Sequence, residues 1–437
     1  MAYHFIGIKG TGMAALACIL HDENKEVTGS DISKYIFTQD GLEERNILIT
    51  DFDASNIHDG DTVIIGLAFD DSNIEVATAF ANPTVKTYYY NEYLGKLLES
   101  YQSICIAGTH GKSTTTGILA QVLSHQDRTG YLIGDGHGFM PEKAKNFVLE
   151  SCEFKRHFLA YHPDYAIITN IEMDHVDYYK DIDDYVSAFQ SFINQIQKKA
   201  VIFGDDPYLS ELIYDCDVVT YGLGSSNDYQ ARNIEQGPNG MVFDCYYQNN
   251  LLTHVELSEI GDPFLQDALG CFALSHQLGM NPDDIVKGLK EYKGIARRFV
   301  IEEVHDSVLI DDYAHHPTAI RYMIDSARKK YPNKKIVALY KPDRYSRLQY
   351  FLRDFADSLN KADEVCLCDF PKNAVREDES ITVSIHDLVD LCPNSKLLDI
   401  DDESAAILAE MEPAVYLFMS SKDIYLLKEK LKKLLDK

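Results

Sequence analysis

The 437-residue sequence predicts an α/β protein of three domains in series. Three observations carry that expectation. Short apolar runs alternate with helical stretches along most of the chain, the pattern of largely parallel sheets covered by helices. The length exceeds what one core holds, at roughly 100–200 residues per domain. Two of the apolar runs end in glycine-rich turns that open onto helices.

Taken in order, His4-Phe-Ile-Gly-Ile reads as the first strand, Met13 to Leu20 as a helix and Thr62-Val-Ile-Ile as a further strand. A second series begins at Ser103, with strand-like runs at Phe147-Val-Leu, Tyr165-Ala-Ile-Ile-Thr and Ala200-Val-Ile-Phe. Residues 217–258 alternate, are polar and rich in tyrosine, and predict an antiparallel excursion. A third series starts near Phe299, with strands at Ser307-Val-Leu-Ile, Lys335-Ile-Val-Ala-Leu-Tyr, Glu364-Val-Cys-Leu and Ala414-Val-Tyr-Leu-Phe-Met. It closes in a Lys- and Leu-rich helix from Asp423 to Lys437. Domain boundaries are expected near 98 and 297.

Composition narrows the function. Hydrophobic residues make up 45% of the chain, enough for several cores. No run approaches the roughly 18 apolar residues of a membrane span. The first residues run straight into a strand without the basic and apolar regions of a signal peptide, so a cytoplasmic protein is expected. The nine cysteines are scattered, and the Cys366-x-Cys368 pair sits in a strand-like run, where buried thiols are the better reading than zinc. A net charge of −28 argues against a nucleic-acid partner.

The strongest motif is Gly108-Thr-His-Gly-Lys-Ser-Thr-Thr-Thr-Gly117 after the strand at Ser103. Backbone N–H groups of such a turn, with a helix N-terminus behind them, cradle phosphate oxygens. Lys112 adds a point charge for the outer phosphates, and Ser113 or Thr114 offers a hydroxyl to Mg²⁺. An ATP site follows. Gly7-Ile-Lys-Gly-Thr-Gly-Met13 closes the first strand in the glycine pattern of a dinucleotide-type turn, with Asp31 about 20 residues on, where a ribose ligand is expected. On its own that turn also fits a hydride-transfer enzyme, but the second phosphate loop favours two phosphorylated ligands. Glu150, Glu153 and Asp174-His175 follow strands, at the sheet edge where α/β proteins place ligands, and a carboxylate with an imidazole there could hold magnesium. Asp311-Asp-Tyr-Ala-His-His-Pro317 also follows a strand, and so many polar groups on one turn are costly to desolvate without a role. Arg297-Arg298 and Arg344 with Arg347 supply cations for phosphate or carboxylate.

In this order the motifs resemble the Mur ligases over the full length of the chain. The matching residues are Gly7-Ile-Lys-Gly-Thr-Gly-Met13, Gly29-Ser-Asp31, Gly108-Thr-His-Gly-Lys-Ser-Thr114, Thr169-Asn-Ile-Glu-Met-Asp-His175, Arg297-Arg-Phe299 and Asp311-Asp-Tyr-Ala-His-His-Pro317. The resemblance implies a Rossmann-like UDP-sugar domain over 1–97, a central P-loop ATPase-type domain with a mainly parallel sheet over 98–296, and a Rossmann-like closing domain over 297–437. It implies ATP and Mg²⁺, with UDP-N-acetylmuramic acid and a small amino acid, L-alanine first, as substrates of an ADP-forming amide ligase that works through an acyl phosphate. Gly7, Gly10, Thr11, Gly12, Met13 and Asp31 would then bind the UDP-sugar. Gly108, Thr109, His110, Gly111, Lys112, Ser113, Thr114 and Arg298 would bind ATP. Ser113, Glu150 and His175 would hold metal, Asp312 would meet the ribose or position the closed domain, and His315, Arg344 and Arg347 would lie near the incoming amino acid. A monomer or homodimer is expected.

The chain departs from the family's pattern at four places. Gly261-Asp-Pro-Phe-Leu-Gln-Asp267 replaces a Gly-x-His-Asn-x-x-Asn run, putting Pro263 at the histidine and Asp267 at an asparagine. Asp343 replaces the histidine of Pro-His-Arg. Ser420-Ser-Lys-Asp423 replaces Gly-Ala-Gly-Asp, with Ser421 at the alanine. Gly66-Leu-Ala-Phe69 replaces Gly-Asn-Ala-Phe. These changes admit a paralogue with a different acceptor, or a binding protein without turnover.

Overall fold

The computed structural model describes residues 2–411 and 413–436 and contains three sheets. The first holds five parallel strands in the order Leu48–Thr50, Val27–Ser30, Tyr3–Ile6, Thr62–Ile65, Lys86–Tyr89. Chain order reverses on either side of Tyr3–Ile6, and the turn at Gly7–Gly12 leaves its carboxyl end at that switch point, leading into the helix Thr11–Asp22. The flanking strands Val27–Ser30, Leu48–Thr50 and Lys86–Tyr89 are short and partly polar, too weak a pattern to read in advance.

The second sheet has ten strands and centres on Gln102–Ala107, which lies between Tyr165–Ile168 and Asn146–Glu150 in parallel register. Alternate residues of this central strand feed two cores: Cys105 and Ala107 into one, Ile104 and Ile106 into the other. Burial on both faces explains the unbroken apolar run. Helix Lys112–Ser124 sends Ile118, Leu119, Val122 and Leu123 into the second core.

The antiparallel excursion expected over 217–258 is shorter than that. Asp217–Gly222 pairs parallel with Lys199–Phe203, and Tyr229–Gly237 begins parallel to it. The antiparallel pairs are those among Tyr229–Gly237, Gly240–Tyr247 and Asn250–Leu257. The reason is cover: Tyr221 packs against helix Asp262–Gln277 at Gly270, so the alternation of the first strand is one of depth within a covered sheet.

The third sheet runs Val300–Val304, Ser307–Asp312, Ala414–Met419, Lys335–Tyr340, Glu364–Cys368, Lys396–Leu398, and only its first strand is antiparallel. Cys366 and Cys368 are buried in it, and burial pushes each thiol up to about 12. The last helix spans Tyr425–Leu435 and buries Leu427, Leu431 and Leu435 at four-residue spacing; Lys437 lies outside the described residues. Among the described residues no helix is long and apolar enough to cross a membrane.

Candidate active site

The phosphate loop leaves Gln102–Ala107 and turns through two glycines at positive φ, 135° at Gly108 and 83° at Gly111. A β-carbon on Gly108 would stand 2.0 Å from Thr169 Oγ1, and one on Gly111 2.4 Å from Asp267 Oδ1, so neither position admits a side chain. The loop Thr169–His175 braces the turn from the next strand. Thr109 N–H donates to the Asn170 carbonyl at 3.0 Å, His110 N–H to Asn170 Oδ1 at 2.9 Å, and Thr169 Oγ1 to the His110 carbonyl at 2.6 Å. Ser113 is buried on the first turn of the helix, where Arg298 Nη2 donates to its Oγ at 3.2 Å, and Thr114 is half-buried beside it.

Lys112 Nζ donates to the carbonyls of Gly108 and Thr109 and lies 2.9 Å from Glu153 Oε2. Burial opposes its charge, but Glu153, with Cys152 and Glu150 nearby, outweighs that and raises its pKa. Glu153 is 1% exposed, and His175 Nε2 lies 3.4 Å from its Oε1. Against the pull of burial, Lys112 and His175 hold the Glu153 carboxyl down to about 2. His175 sits at positive φ (51°) with its ring over Phe154.

The carboxylate beside Lys112 is therefore Glu153, while Glu150 accepts the Gly134 N–H at 2.7 Å. Strand register explains the difference. Glu150 pairs with Ile106, inside the sheet, and the chain reaches the level of the phosphate loop only three residues later. His175 Nδ1 is buried without a hydrogen-bond partner, and Glu153 Oε2 is held by the Lys112 ammonium alone. A carboxylate and an unpartnered imidazole nitrogen beside the phosphate loop suit a divalent cation.

The third sheet's leading edge is docked onto this face. Asp312 accepts the N–H groups of Phe299 (2.8 Å) and Ala314 (2.7 Å), so both its oxygens brace the first turn of the last domain. Arg297 bonds to Asp311 and the Ser420 carbonyl, and Arg298 lies over the Tyr313 ring. His315 Nδ1–H donates to the Tyr313 carbonyl at 2.9 Å, and burial, with Arg347 nearby, lowers its pKa to about 4.

His110, Glu172 and His316 gather with one potential ligand atom each within 4.8 Å. His110 Nε2–H donates to Glu172 at 2.8 Å, and Thr318 Oγ1 donates to the other Glu172 oxygen at 2.6 Å. His316 accepts the Thr318 N–H at Nδ1 and donates from Nε2 to the Met173 carbonyl, so neither nitrogen has a lone pair to spare. The trio joins the phosphate loop to the last domain. Burial pushes the Glu172 carboxyl up, but His110, His316 and Thr318 together hold it down to about 2, and His316 is pushed down to about 3 by burial.

Arg347 is 3% exposed and clamped between two carboxylates, Asp174 and Asp343, while Arg344 pairs with Asp177 over the Phe154 ring. In the first domain, Asp31 is spent on the glycine turn, accepting the N–H groups of Lys9 and Ile32 at 2.7 Å each. Gly10 caps the following helix, Thr11 is exposed on its first turn, and Met13 is buried.

Family models match three consecutive segments: the Mur ligase family catalytic domain over 2–102, the Mur ligase middle domain over 106–275, and the Mur ligase glutamate ligase domain over 296–426. This chain belongs to the Mur ligase family. As a member it is an ATP-binding ligase of peptidoglycan synthesis. Among solved structures it is similar to the UDP-N-acetylmuramate–alanine ligase MurC of Thermotoga maritima, with a TM-score of 0.80, 25% identity and 99% of each chain covered. It shares its fold with a murein peptide ligase of Psychrobacter arcticus (TM-score 0.72, 23% identity, 100% and 99% covered). The same holds for MurF of Thermotoga maritima in complex with ADP (TM-score 0.68, 19% identity, 88% and 97% covered).

The sequence singled out Lys112, His175, Ser113 and Arg298, and the fold gathers these around the phosphate loop. It leaves Glu150 beside Gly134 and Asp31 beside Lys9. Glu172, inside a quoted motif but given no role of its own, and Asp174, expected beside His175 as a possible magnesium ligand, tie the central sheet to the last domain.

Proposed function

We propose that this chain is an ADP-forming amide ligase that phosphorylates the carboxylate of UDP-N-acetylmuramic acid and joins it to a small amine, L-alanine or a close relative. The observation that carries the reading is the Lys112–Glu153–His175 constellation against the phosphate loop. Loop N–H groups and Lys112 hold the triphosphate of ATP, and Arg298, already bonded to Ser113, adds a second cation from the docked domain. Ser113, Glu153 and His175 would hold magnesium, which supplies positive charge against the phosphoryl oxygens. The sugar carboxylate attacks the γ-phosphorus and ADP leaves. The amine then attacks the acyl carbon, and a tetrahedral intermediate expels phosphate. The division into 1–97, 98–296 and 297–437 gives each substrate its own domain, and docking of the last excludes water from the acyl phosphate.

With ¹⁸O in the carboxylate of UDP-N-acetylmuramic acid, the phosphate released in the presence of amine acceptor carries one label. Unlabelled phosphate means plain ATP hydrolysis and sinks the reading; no phosphate with any acceptor leaves a binding protein.

A further inference from the structure

The chain departs from its family's motifs at Asp343 and Ser421, and those two departures touch. Ser421 Oγ–H donates to Asp343 Oδ2 at 3.0 Å, although the residues are 78 positions apart. Asp343 in turn takes Arg347 Nη1 on both oxygens, at 2.7 and 2.9 Å. The opposite edge of the guanidinium, Nε and Nη2, goes to Asp174 Oδ1 at 3.0 and 2.9 Å. Asp343, its side chain 9% exposed, thus has a serine donor and an arginine partner on both oxygens.

The consequence is electrostatic. Lys341, Arg344 and Arg347 are the cations between residues 341 and 347, and each has a carboxylate partner within the chain: Asp423, Asp177, and Asp174 with Asp343. A free amino acid brings a carboxylate that needs a cation. At Arg347 it would meet an arginine already shared by two acids, and like charges this close and shielded from water repel strongly.

We infer, on the amide-ligase reading above, that Asp343 sets the acceptor class: an amine whose adjoining carboxyl group is already an amide, as in an amino-acid carboxamide or a peptide N-terminus, is taken in preference to the free amino acid. The bond chemistry is unchanged. The amine nitrogen bonds to the acyl carbon, phosphate departs with the electrons of the broken C–O bond, and the ammonium loses two protons, one to phosphate and one to solvent.

The test compares phosphate release with ATP, UDP-N-acetylmuramic acid and either L-alanine or L-alaninamide. L-alaninamide is expected to show the higher kcat/KM, chiefly through a lower KM. Asp343→Asn frees one edge of Arg347 and shifts the ratio towards L-alanine by about tenfold or more, the scale of one charge-assisted hydrogen-bond pair. Ser421→Ala deletes a single hydrogen bond without unpairing Arg347, and shifts the ratio the same way by a smaller factor; it serves if Asp343→Asn fails to fold. A wild-type preference for L-alanine, or ratios unmoved in both variants, overturns the inference. Hydroxylamine trapping of the acyl phosphate, run without acceptor, reports the ligase chemistry separately. Its failure removes the reading underneath, whereas hydroxamate with L-alanine preferred removes this inference alone.

Discussion

Two cations flank the segment Asp174-His175, and they are finished differently. Lys112, at the phosphate loop, has one carboxylate partner, and beside that pair His175 Nδ1 remains without a hydrogen bond. Arg347, on the docked domain, is 3% exposed and has two carboxylate partners. The first arrangement is incomplete and waits for charge from outside. The second is complete and turns charge away.

The sharpest way to break this contrast is to remove each cation. Lys112→Ala should lower turnover by at least about 10²–10³, the cost of one preorganised charge-stabilising donor. It also leaves Glu153 charged and buried, so the variant loses stability that Lys112→Ala/Glu153→Gln recovers without recovering turnover. Single-turnover kinetics and thermal melts on both variants check this. Turnover within a few-fold of the parent in a folded protein would remove Lys112 from the site.

Arg347→Met strands Asp174 and Asp343, and losing one partner of such a buried pair costs about 3–5 kcal/mol. The loss should show first as a lower Tm, with acyl-phosphate trapping by hydroxylamine retained at temperatures where the variant stays folded. Equal loss of trapping and stability would mean that the two cations are not functionally separate.

Acidification should undo the docked face next. Glu153 and Glu172 have folded pKa values near 2, below their usual range, so their contribution is full above about 4.5 and drains as pH falls towards 2. His315 and His316, at about 4 and 3, are also depressed; as bases kept neutral they contribute above about 6.5 and lose that contribution as pH falls from there. Both signs agree, and stability should decline from about pH 6.5 downward. A Tm flat from pH 7 to pH 4 would contradict the burial of these groups.

The smallest effect belongs to Asp267, whose pKa is raised by burial well above the usual carboxylate value against the phosphate loop. A group shifted this way stabilises the fold at low pH and loses that contribution as pH rises through its folded pKa. Asp267→Asn should therefore raise the Tm slightly at pH 8, tighten ATP binding there, and do neither at pH 4. Unchanged ATP affinity at every pH would place residue 267 away from the nucleotide.

Much of this arrangement is readable in the sequence where one segment carries the signal alone. The phosphate loop, its lysine and the strands bearing apolar runs follow from local pattern. Glu153 is harder, because choosing between two glutamates three residues apart requires knowing that Glu150 is still in register with Ile106. The role of Glu172 depends on Thr318, and that of Asp343 on Ser421, partners brought together only by docking or by a return of the chain to the same sheet edge. The parallel pairing of Asp217–Gly222 escapes local reading for a similar reason, since the helix that covers it comes 40 residues later.

The seam between the central and last domains is keyed rather than smooth. Glu172 meets Thr318, Asp174 meets Arg347, and Asp177 meets Arg344, three acids on one short loop each addressed to its own residue across the gap. For anyone wishing to swap parts among relatives, this loop is the lock and the segment from His316 to Arg347 is its key. A chimera cut at residue 296 inherits the three acids from one parent and their counterparts from the other. It will assemble only if both halves are cut to the same pattern.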